Sequence, residues 1–360
     1  MSLLSRYLTK AFLRNFLLTF FTLTGLFVLV ALFENMRLFF KYDATFAEGL
    51  TMVAGQIPWI ATQTLPLSAL MGALIALTIM AKNGELTVLR SAGLPLYRLA
   101  FPLLLCGTLV AAGTYALQEW VAPHTNALVR QVKQVSIKGR AAETMTRSTD
   151  VWFKAGDAFV HADLITGDRL AMKGIEIYEV SNGELPRSIF ADEARWSGDQ
   201  WILDGVFIVA RSGDMAWKRA GVGDMPYPLA PNPDDIYISR NEPAEMNMNE
   251  LGKTIKSRRA QALGVTNLEV DYWAKSALPF SAILMALIAV PFASRVSGRS
   301  GLWGAVTRGI GFGLLFFLTF MFSTSIGKTG SLPPSVAAWL PNVSFAIFAI
   351  YLMFRAEKAR

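Results

Sequence analysis

Along this chain apolar positions do not alternate with polar ones; they gather into stretches without a charged residue. The first runs from Asn15 to Phe33 and the second from Gly49 to Ala81, and others follow at Leu99 to Gln118, Ser276 to Ser294, Gly309 to Gly327 and Thr329 to Phe354. Roughly 20 residues at about 1.5 Å each cross a hydrocarbon core of about 30 Å, so each run is long enough to span a membrane. Six transmembrane helices are expected. The first run exceeds the roughly 7–15 apolar residues of a signal peptide, and Leu32-Phe33-Glu34 at its end lacks the small residues of a cleavage site. Pro58 and Pro66 lie inside the second run, where they should kink or loosen the helix rather than end it.

The segment from Glu119 to Lys275 has a different pattern. Glu119 to about Arg140 reads as a helical continuation of the third span, with Trp120 as an interface aromatic. Short β-type runs follow: Val151-Trp152-Phe153-Lys154 and Ala158-Phe159-Val160-His161 around a Gly156-Asp157 turn, Ile175 to Val180, Ser188 to Phe190, Trp201-Ile202-Leu203, Val206 to Ala210, and Ile236-Tyr237-Ile238. Runs this short between Gly, Asp and Asn turns predict an antiparallel sandwich or jelly roll. Asn249 to Leu263 then reads as a helix with Asn249 as cap, and Thr266-Asn267-Leu268-Glu269 has the spacing of a second helix start leading into the fourth span. The expected fold is an α-helical integral membrane protein of six transmembrane helices with an inserted extracytoplasmic all-β, jelly-roll-like domain. Residues 1–134 hold spans one to three, 135–245 the β domain, and 246–360 a connecting helix and spans four to six.

Composition agrees: 17% of residues are charged, against about a quarter in soluble proteins, and 53% are hydrophobic, which excludes disorder. Basic residues concentrate in alternate connections. Arg6, Lys10 and Arg14, then Lys82, Arg90 and Arg98, then Arg295, Arg299 and Arg308, and finally Arg355, Lys358 and Arg360 mark one side; Arg37, Lys41 and Lys328 are sparse on the other. By the positive-inside bias both termini are cytoplasmic and Glu119 to Lys275 lies across the membrane. That segment has 19 basic and 22 acidic residues, so the net +7 divides into −3 there and +10 on the membrane part. The surplus of positive charge reports topology, and no nucleic-acid partner is expected.

Chemistry-bearing motifs are few. Cys106 is the single cysteine and His124 and His161 are the two histidines, which leaves no metal-ligand pattern, and no cofactor is expected. Gly309-x-Gly311-x-Gly313 lies in an apolar run and reads as a close helix contact. Asp234-Asp235 and Asp192-Glu193 read as solvated loop charges. Lys275 and Ser276 are helix neighbours that do not face each other, so they make no catalytic dyad. No ionisable residue lies at membrane depth, where an ion-driven carrier needs one. Energy for uphill movement would then come from another chain, through the cytoplasmic face. There Asn83 can cap a short helix beginning Gly84-Glu85, with Leu86, Val88, Leu89 and Ala92 on an apolar side and Gly93 and Pro95 at its close. It reads either as an interfacial turn between spans or as a docking element.

The loop Gly84-Glu85-Leu86-Thr87-Val88-Leu89-Arg90-Ser91-Ala92-Gly93 carries a family resemblance, as do Gln118-Glu119-Trp120-Val121-Ala122-Pro123, Val151-Trp152-Phe153-Lys154, Ala274-Lys275-Ser276-Ala277-Leu278-Pro279 and Val290-Pro291-Phe292. Over essentially its whole length the chain resembles the permease subunits of the lipopolysaccharide export system, the LptF/LptG family, and its Glu-Trp-Val-Ala-Pro and Trp-Phe-Lys segments look more like LptG. The resemblance implies a non-catalytic subunit of an ABC transporter in the bacterial inner membrane. Its partners would be a cytoplasmic ATPase dimer, a second permease and a single-span bridging protein, and together they would extract lipopolysaccharide toward periplasmic jelly-roll domains. It also implies that the helix at 83–93 couples to the ATPase, with Glu85, Leu86, Leu89 and Arg90 as the contact. In the family a lysine stands near the outer end of the first span, where this chain has Ala31. Arg37 and Lys41 are the candidate substitutes facing substrate phosphates, with interface snorkelling as the competing reading. Phe312, Phe316 and Phe320 recur every four residues on span five as candidates for the acyl-chain cavity, with lipid-facing packing as the competing reading. A membrane-anchored sensor or assembly factor whose β domain binds a partner is the alternative function, and co-purifying chains would discriminate the two.

Overall fold

A computed structural model of the chain describes residues 3–42, 44–93, 95, 97–133, 148–155, 158–166, 171–181, 184–197, 200–212, 216–221, 223–227, 242–260, 264–293 and 301–358. Among the described residues six helices are long and apolar enough to cross a membrane, as expected. Span one is α1 (Leu3–Lys41), span two is α2 (Phe46–Lys82), and the short α3 (Glu85–Ser91) joins span two to span three. Span three is α4 (Tyr97–Ala116), continued through a π turn (Leu117–Val121) into α5 (Ala122–Gln131). After the β strands come α6 (Met248–Ala260) and spans four to six, α7 (Thr266–Ala293), α8 (Gly301–Lys328) and α9 (Pro334–Lys358).

Arg37 and Lys41, placed by the charge pattern in a loop, are on the last turns of α1 instead. Nothing from Glu34 to Lys41 is Gly, Pro or β-branched, so the helix persists after the apolar run has ended. The chain turns only before Thr45, whose hydroxyl accepts from the Glu48 N–H while the Glu48 carboxylate accepts from the Thr45 N–H at 2.9 Å, a reciprocal cap that starts α2.

The helices are unequally enclosed. In their most apolar stretches α2 and α7 are 78% and 72% buried, whereas α1 and α8 are 22% buried, so α2 and α7 form the centre and α1 and α8 lie against it. The core between them includes Phe12, Leu70, Leu74, Leu77, Leu103, Met285 and Ile288. Lipid offers helices no hydrophobic gain on association, so small residues and interhelical hydrogen bonds hold them. Gly72 of α2 lies against the backbone of Phe16 in α1, and the Thr24 and Thr64 hydroxyls meet at 2.9 Å between the same two helices. Asn342 of α9 donates to the Ala277 carbonyl of α7 at 2.7 Å. Pro341 has no N–H for the carbonyl of Ala337 four residues before it, and Ser323 of α8 donates to that oxygen at 2.6 Å instead. Pro58 and Pro66 sit within an unbroken α2, as expected. Gly309 and Gly313 face Met71 and Leu67 of α2, the close contact read from the glycine spacing, while Gly311 between them faces open space.

The inserted unit is an antiparallel sheet of eight described strands: β1 (Ser148–Ala155), β2 (Ala158–Thr166), β3 (Ala171–Ser181), β4 (Glu184–Trp196), β5 (Trp201–Asp204), β6 (Phe207–Ser212), β7 (Ala216–Gly221) and β8 (Met225–Tyr227). β1 to β4 pair in chain order. β4 then serves two partners along one edge, β5 through 193–196 and β6 through 187–190, after which β8 adds to β5 and β7 to β6. Val160, Ala162, Ile175, Ile177, Ile189, Ala191 and Leu203 bury one face, while Trp152 stacks on His161 and Phe190 on Phe207 across strands on the other. Asp192-Glu193 is not in a loop: both residues belong to β4, where the Asp192 carboxylate lies over Gly205, a left-handed glycine (φ 65°) with no room for a Cβ. β7 and β8 are not expected from the sequence: Ala216–Gly221 contains no β-branched residue, and Met225–Tyr227 is three residues long with Pro226 inside it. Ile236-Tyr237-Ile238 and Asp234-Asp235 lie outside the described residues. The connecting helix starts earlier than expected because Asn247, not Asn249, caps it, in a reciprocal pair with Glu250. Thr266 is already inside α7, and Glu269 pairs with Arg259.

Candidate functional site

Three places carry the candidate residues. The first is α3. Glycines in left-handed conformation flank it, Gly84 (φ 77°) and Gly93 (φ 81°), where a side chain would be strained. Asn83 does not cap the helix as expected. Its backbone closes α2, and its side-chain amide donates to Glu85 Oε1 at 3.1 Å. The same oxygen accepts from the Tyr7 hydroxyl at 3.3 Å, so Glu85 fastens α3 to the N-terminal part of α1. Leu86 is buried in the helical core and Leu89 packs against it, so the residues read as a docking side hold α3 onto its own bundle. The side turned away carries Thr87 and Val88, and Val88 is 66% exposed. Arg90 lies on α3, and its side chain is outside the described residues.

The second place is an apolar cavity of about 330 Å³ among α1, α2, α7 and α8. Leu23 and Phe27 form its α1 wall, Trp59, Ile60 and Leu67 its α2 wall, Leu278 and Met285 its α7 wall, with Gln63 and Thr64 as polar groups. On α8 the wall is Ile310, Leu314, Phe316 and Phe317. Of the three phenylalanines on the period-four stripe, Phe316 alone lines the cavity. Phe312 packs between Phe292 (5.1 Å) and Phe345 (5.0 Å), and Phe320 stacks on Phe316 at 6.2 Å. Ile310, Leu314 and Phe317 are spaced i, i+4, i+7, the pattern of a single helix face, and that was the signal available in the sequence.

Arg37 and Lys41, four residues apart, share one side of α1 and are exposed, with the Lys41 ammonium 5.4 Å from the centre of the Tyr42 ring. Ten residues separate Phe27 from Arg37, about 15 Å along the helix, so the two cations stand well beyond the cavity's apolar wall. Ala31 is buried, and its carbonyl accepts from the Asn35 amide at 2.7 Å.

The third place is a collar at the C-terminal end of span three and the N-terminal end of span four, which explains two of the sequence motifs. Glu119, presented by the π turn, accepts from the Met248 N–H at 2.9 Å. That N–H belongs to the first turn of α6, where a carboxylate also opposes the positive end of the helix dipole. Lys275 donates to the Met246 carbonyl. From α5, Asn126 donates to the Ala244 carbonyl at 2.8 Å, and Arg130 pairs with Glu245 at 2.9 Å. The Glu245 side chain is 7% exposed; burial pushes its carboxyl above the usual range and Arg130 opposes that. Residues 244–248, by which the chain returns from the β unit, are thus held by four side chains. Composition gave no sign of this, because three of the four partners are more than a hundred positions apart in sequence and the fourth, Lys275, is 29 positions from Met246. Replacing Glu119 with alanine leaves a first-turn N–H unpaired, at a cost of about 1–2 kcal/mol. Faster tryptic cleavage at Lys253 and Lys256 in inserted protein is the expected result, and wild-type cleavage kinetics would refute the bracing role.

Comparison with known proteins covers the same chain from end to end. The family described as lipopolysaccharide export system permease LptF/LptG matches residues 6–355. The chain is 23% identical over 361 residues to the lipopolysaccharide export system permease protein LptG of Escherichia coli (strain K12), with 98% of each chain covered. It is 25% identical over 359 residues to the protein of the same name from Haemophilus influenzae (strain ATCC 51907 / DSM 11121 / KW20 / Rd), again with 98% of each covered.

Proposed function

Since the chain belongs to the LptF/LptG family and is a lipopolysaccharide export permease subunit close to LptG, we propose that it works without ATPase chemistry of its own, driven by a separate cytoplasmic ABC ATPase dimer that docks at α3. The observation that carries this reading is the apolar cavity between charge-free spans. It suits acyl chains, yet offers no group that takes up a coupling ion, so the work must come from outside the chain. The thinly enclosed apolar helices α1 and α8 support a second permease as neighbour, and a single-span bridging protein would receive the lipid. The alternation of basic connections supports cytoplasmic termini and a periplasmic β unit in the inner membrane.

Within this reading Arg37 and Lys41 meet the substrate's phosphates at the outer end of α1, while Phe27, Phe316 and Phe317 line the path of its acyl chains. The double substitution Arg37→Ala/Lys41→Ala is expected to lower photo-crosslinking to lipopolysaccharide about tenfold, the loss of two charge-assisted contacts. Crosslinking equal to wild type would make both residues interface anchors. Affinity purification from native membranes, with mass spectrometry of the chains and lipid that accompany the permease, tests the assembly as a whole. Recovery of an ATPase, a second permease and a bridging protein is the expected result, and a permease purified without an ATPase would overturn the energy assignment.

A further inference from the structure

A second cleft, of about 410 Å³, opens between α6, the outer end of α7 and the start of α9. It shares no lining residue with the apolar cavity. Its walls bring together Lys256 and Arg259 of α6, Tyr272 and Trp273 of α7, and Ser335 of α9. The charge-free run of α7 begins at Ser276, so Tyr272 and Trp273 stand within about a turn of the hydrocarbon boundary, the level at which aromatic belts form. The cleft therefore lies at headgroup depth.

Its ionisable lining is net positive, Lys256 and Arg259 against the one acid Glu269. α6 turns Leu251, Thr254 and Ile255 inward and carries Lys253, Lys256 and Arg259 on exposed positions three residues apart. Arg259 is matched by Glu269, whereas Lys256 has no ion pair with another described residue. The acid of α6, Glu250, is spent at the opposite end in the cap with Asn247. Across the cleft, the first helical bond of α9 runs from the Ala337 N–H to the Pro333 carbonyl, so the N–H groups of Ser335 and Val336 precede it and add positive potential. Ile255 and the Trp273 ring, 40% exposed, supply an apolar floor beside these donors. A free phosphate has no use for such a floor, but a glycerol backbone and its first methylenes do.

We propose that this cleft binds the phosphodiester headgroup of an anionic phospholipid, phosphatidylglycerol being the probe of that class, as a site separate from the export path. The full-length permease, purified in detergent, is titrated with phosphatidylglycerol, and retained lipid is counted by native mass spectrometry. Wild type retains one phosphatidylglycerol in preference to phosphatidylethanolamine. A basic residue near an anionic lipid is worth about 1 kcal/mol, so Lys256→Gln weakens retention about fivefold, and the position is exposed enough to leave folding intact. Quenching by a brominated phosphatidylglycerol, read as the difference between wild type and Trp273→Phe, places the lipid at the cleft. Equal retention by wild type and Lys256→Gln overturns the proposal. Competition by inorganic phosphate would assign the cleft to a free anion, and competition by lipopolysaccharide would assign it to the export substrate; either result also overturns it. The export reading is measured at Arg37 and Lys41, so failure here leaves that reading standing.

Discussion

Replacing Gly72 by alanine, the smallest change available there, is expected to remove most of the folded permease from detergent extracts. A Cβ on Gly72 would stand 2.7 Å from Phe16 Cα and 2.8 Å from its nitrogen, and these are backbone atoms of α1 that no rotamer change can move. Span one would have to withdraw by about 1 Å, and overpacking of this kind costs about 1–3 kcal/mol or more. Withdrawal also opens the Thr24–Thr64 contact and the bond from the Thr19 hydroxyl to the Ser68 carbonyl at 3.3 Å. Gly313→Ala is the informative comparison. Its Cβ would meet Leu67 Cδ1, the far end of a flexible side chain, which can rotate away. That variant should fold with a loss under about 1 kcal/mol and a smaller cavity. The yield of monodisperse, protease-resistant protein checks both, and a normal yield for Gly72→Ala would mean that α1 does not dock as closely as described.

Charge reversal at Glu85 is expected to have the largest functional effect without loss of insertion. Glu85→Lys abolishes the acceptor shared by Tyr7 and Asn83, and it places a cation at the start of a helix, where the dipole disfavours it. With α3 loosened from α1, recovery of the ATPase partner should fall at least about tenfold and ATP-driven lipid release should stop. Tyr7→Phe separates two causes, because it removes one hydrogen bond of about 1 kcal/mol and keeps the charge. If positioning of α3 is what matters, Tyr7→Phe reproduces a mild form of the defect; if the carboxylate itself meets the ATPase, Tyr7→Phe is silent. Unchanged partner recovery and unchanged lipid release in Glu85→Lys would refute the coupling assignment.

The spans were legible because solvation in lipid imposes one rule on a whole helix: no charge for about 20 residues. Polar ends obey no such rule, which is why the charge pattern by itself reads the extension of α1 through Arg37 and Lys41 as a loop. Period also showed which residues share a stripe, as with Phe312, Phe316 and Phe320, but not what the stripe faces; that depends on the crossing of α8 with α2 and α9. The direction of Leu86 was hidden for the same reason. A short amphipathic helix between two spans can turn its apolar side to a partner or to its own bundle, and the pattern is identical in both cases. Glu119 and Lys275 stood out as motif members, yet their shared task of holding 244–248 rests on contacts between remote positions. In the β unit, turn chemistry located the hairpin at Ala155 and Ala158 because that pairing is local. The double pairing of β4 was not legible, since strand order is a matter of tertiary structure.

The π turn at Leu117–Val121 sets the azimuth of everything beyond it on span three. A π turn holds one residue more than an α turn, and one residue of an α-helix amounts to about 100° of rotation. Asn126 and Arg130 reach Ala244 and Glu245 only in the phase this extra residue provides. Deleting a single residue from the π turn would keep the helix continuous and its composition nearly unchanged, while swinging both side chains a quarter-turn off the collar. In this stretch of the chain the spacing of residues, rather than their identity alone, decides what the β unit is fastened to.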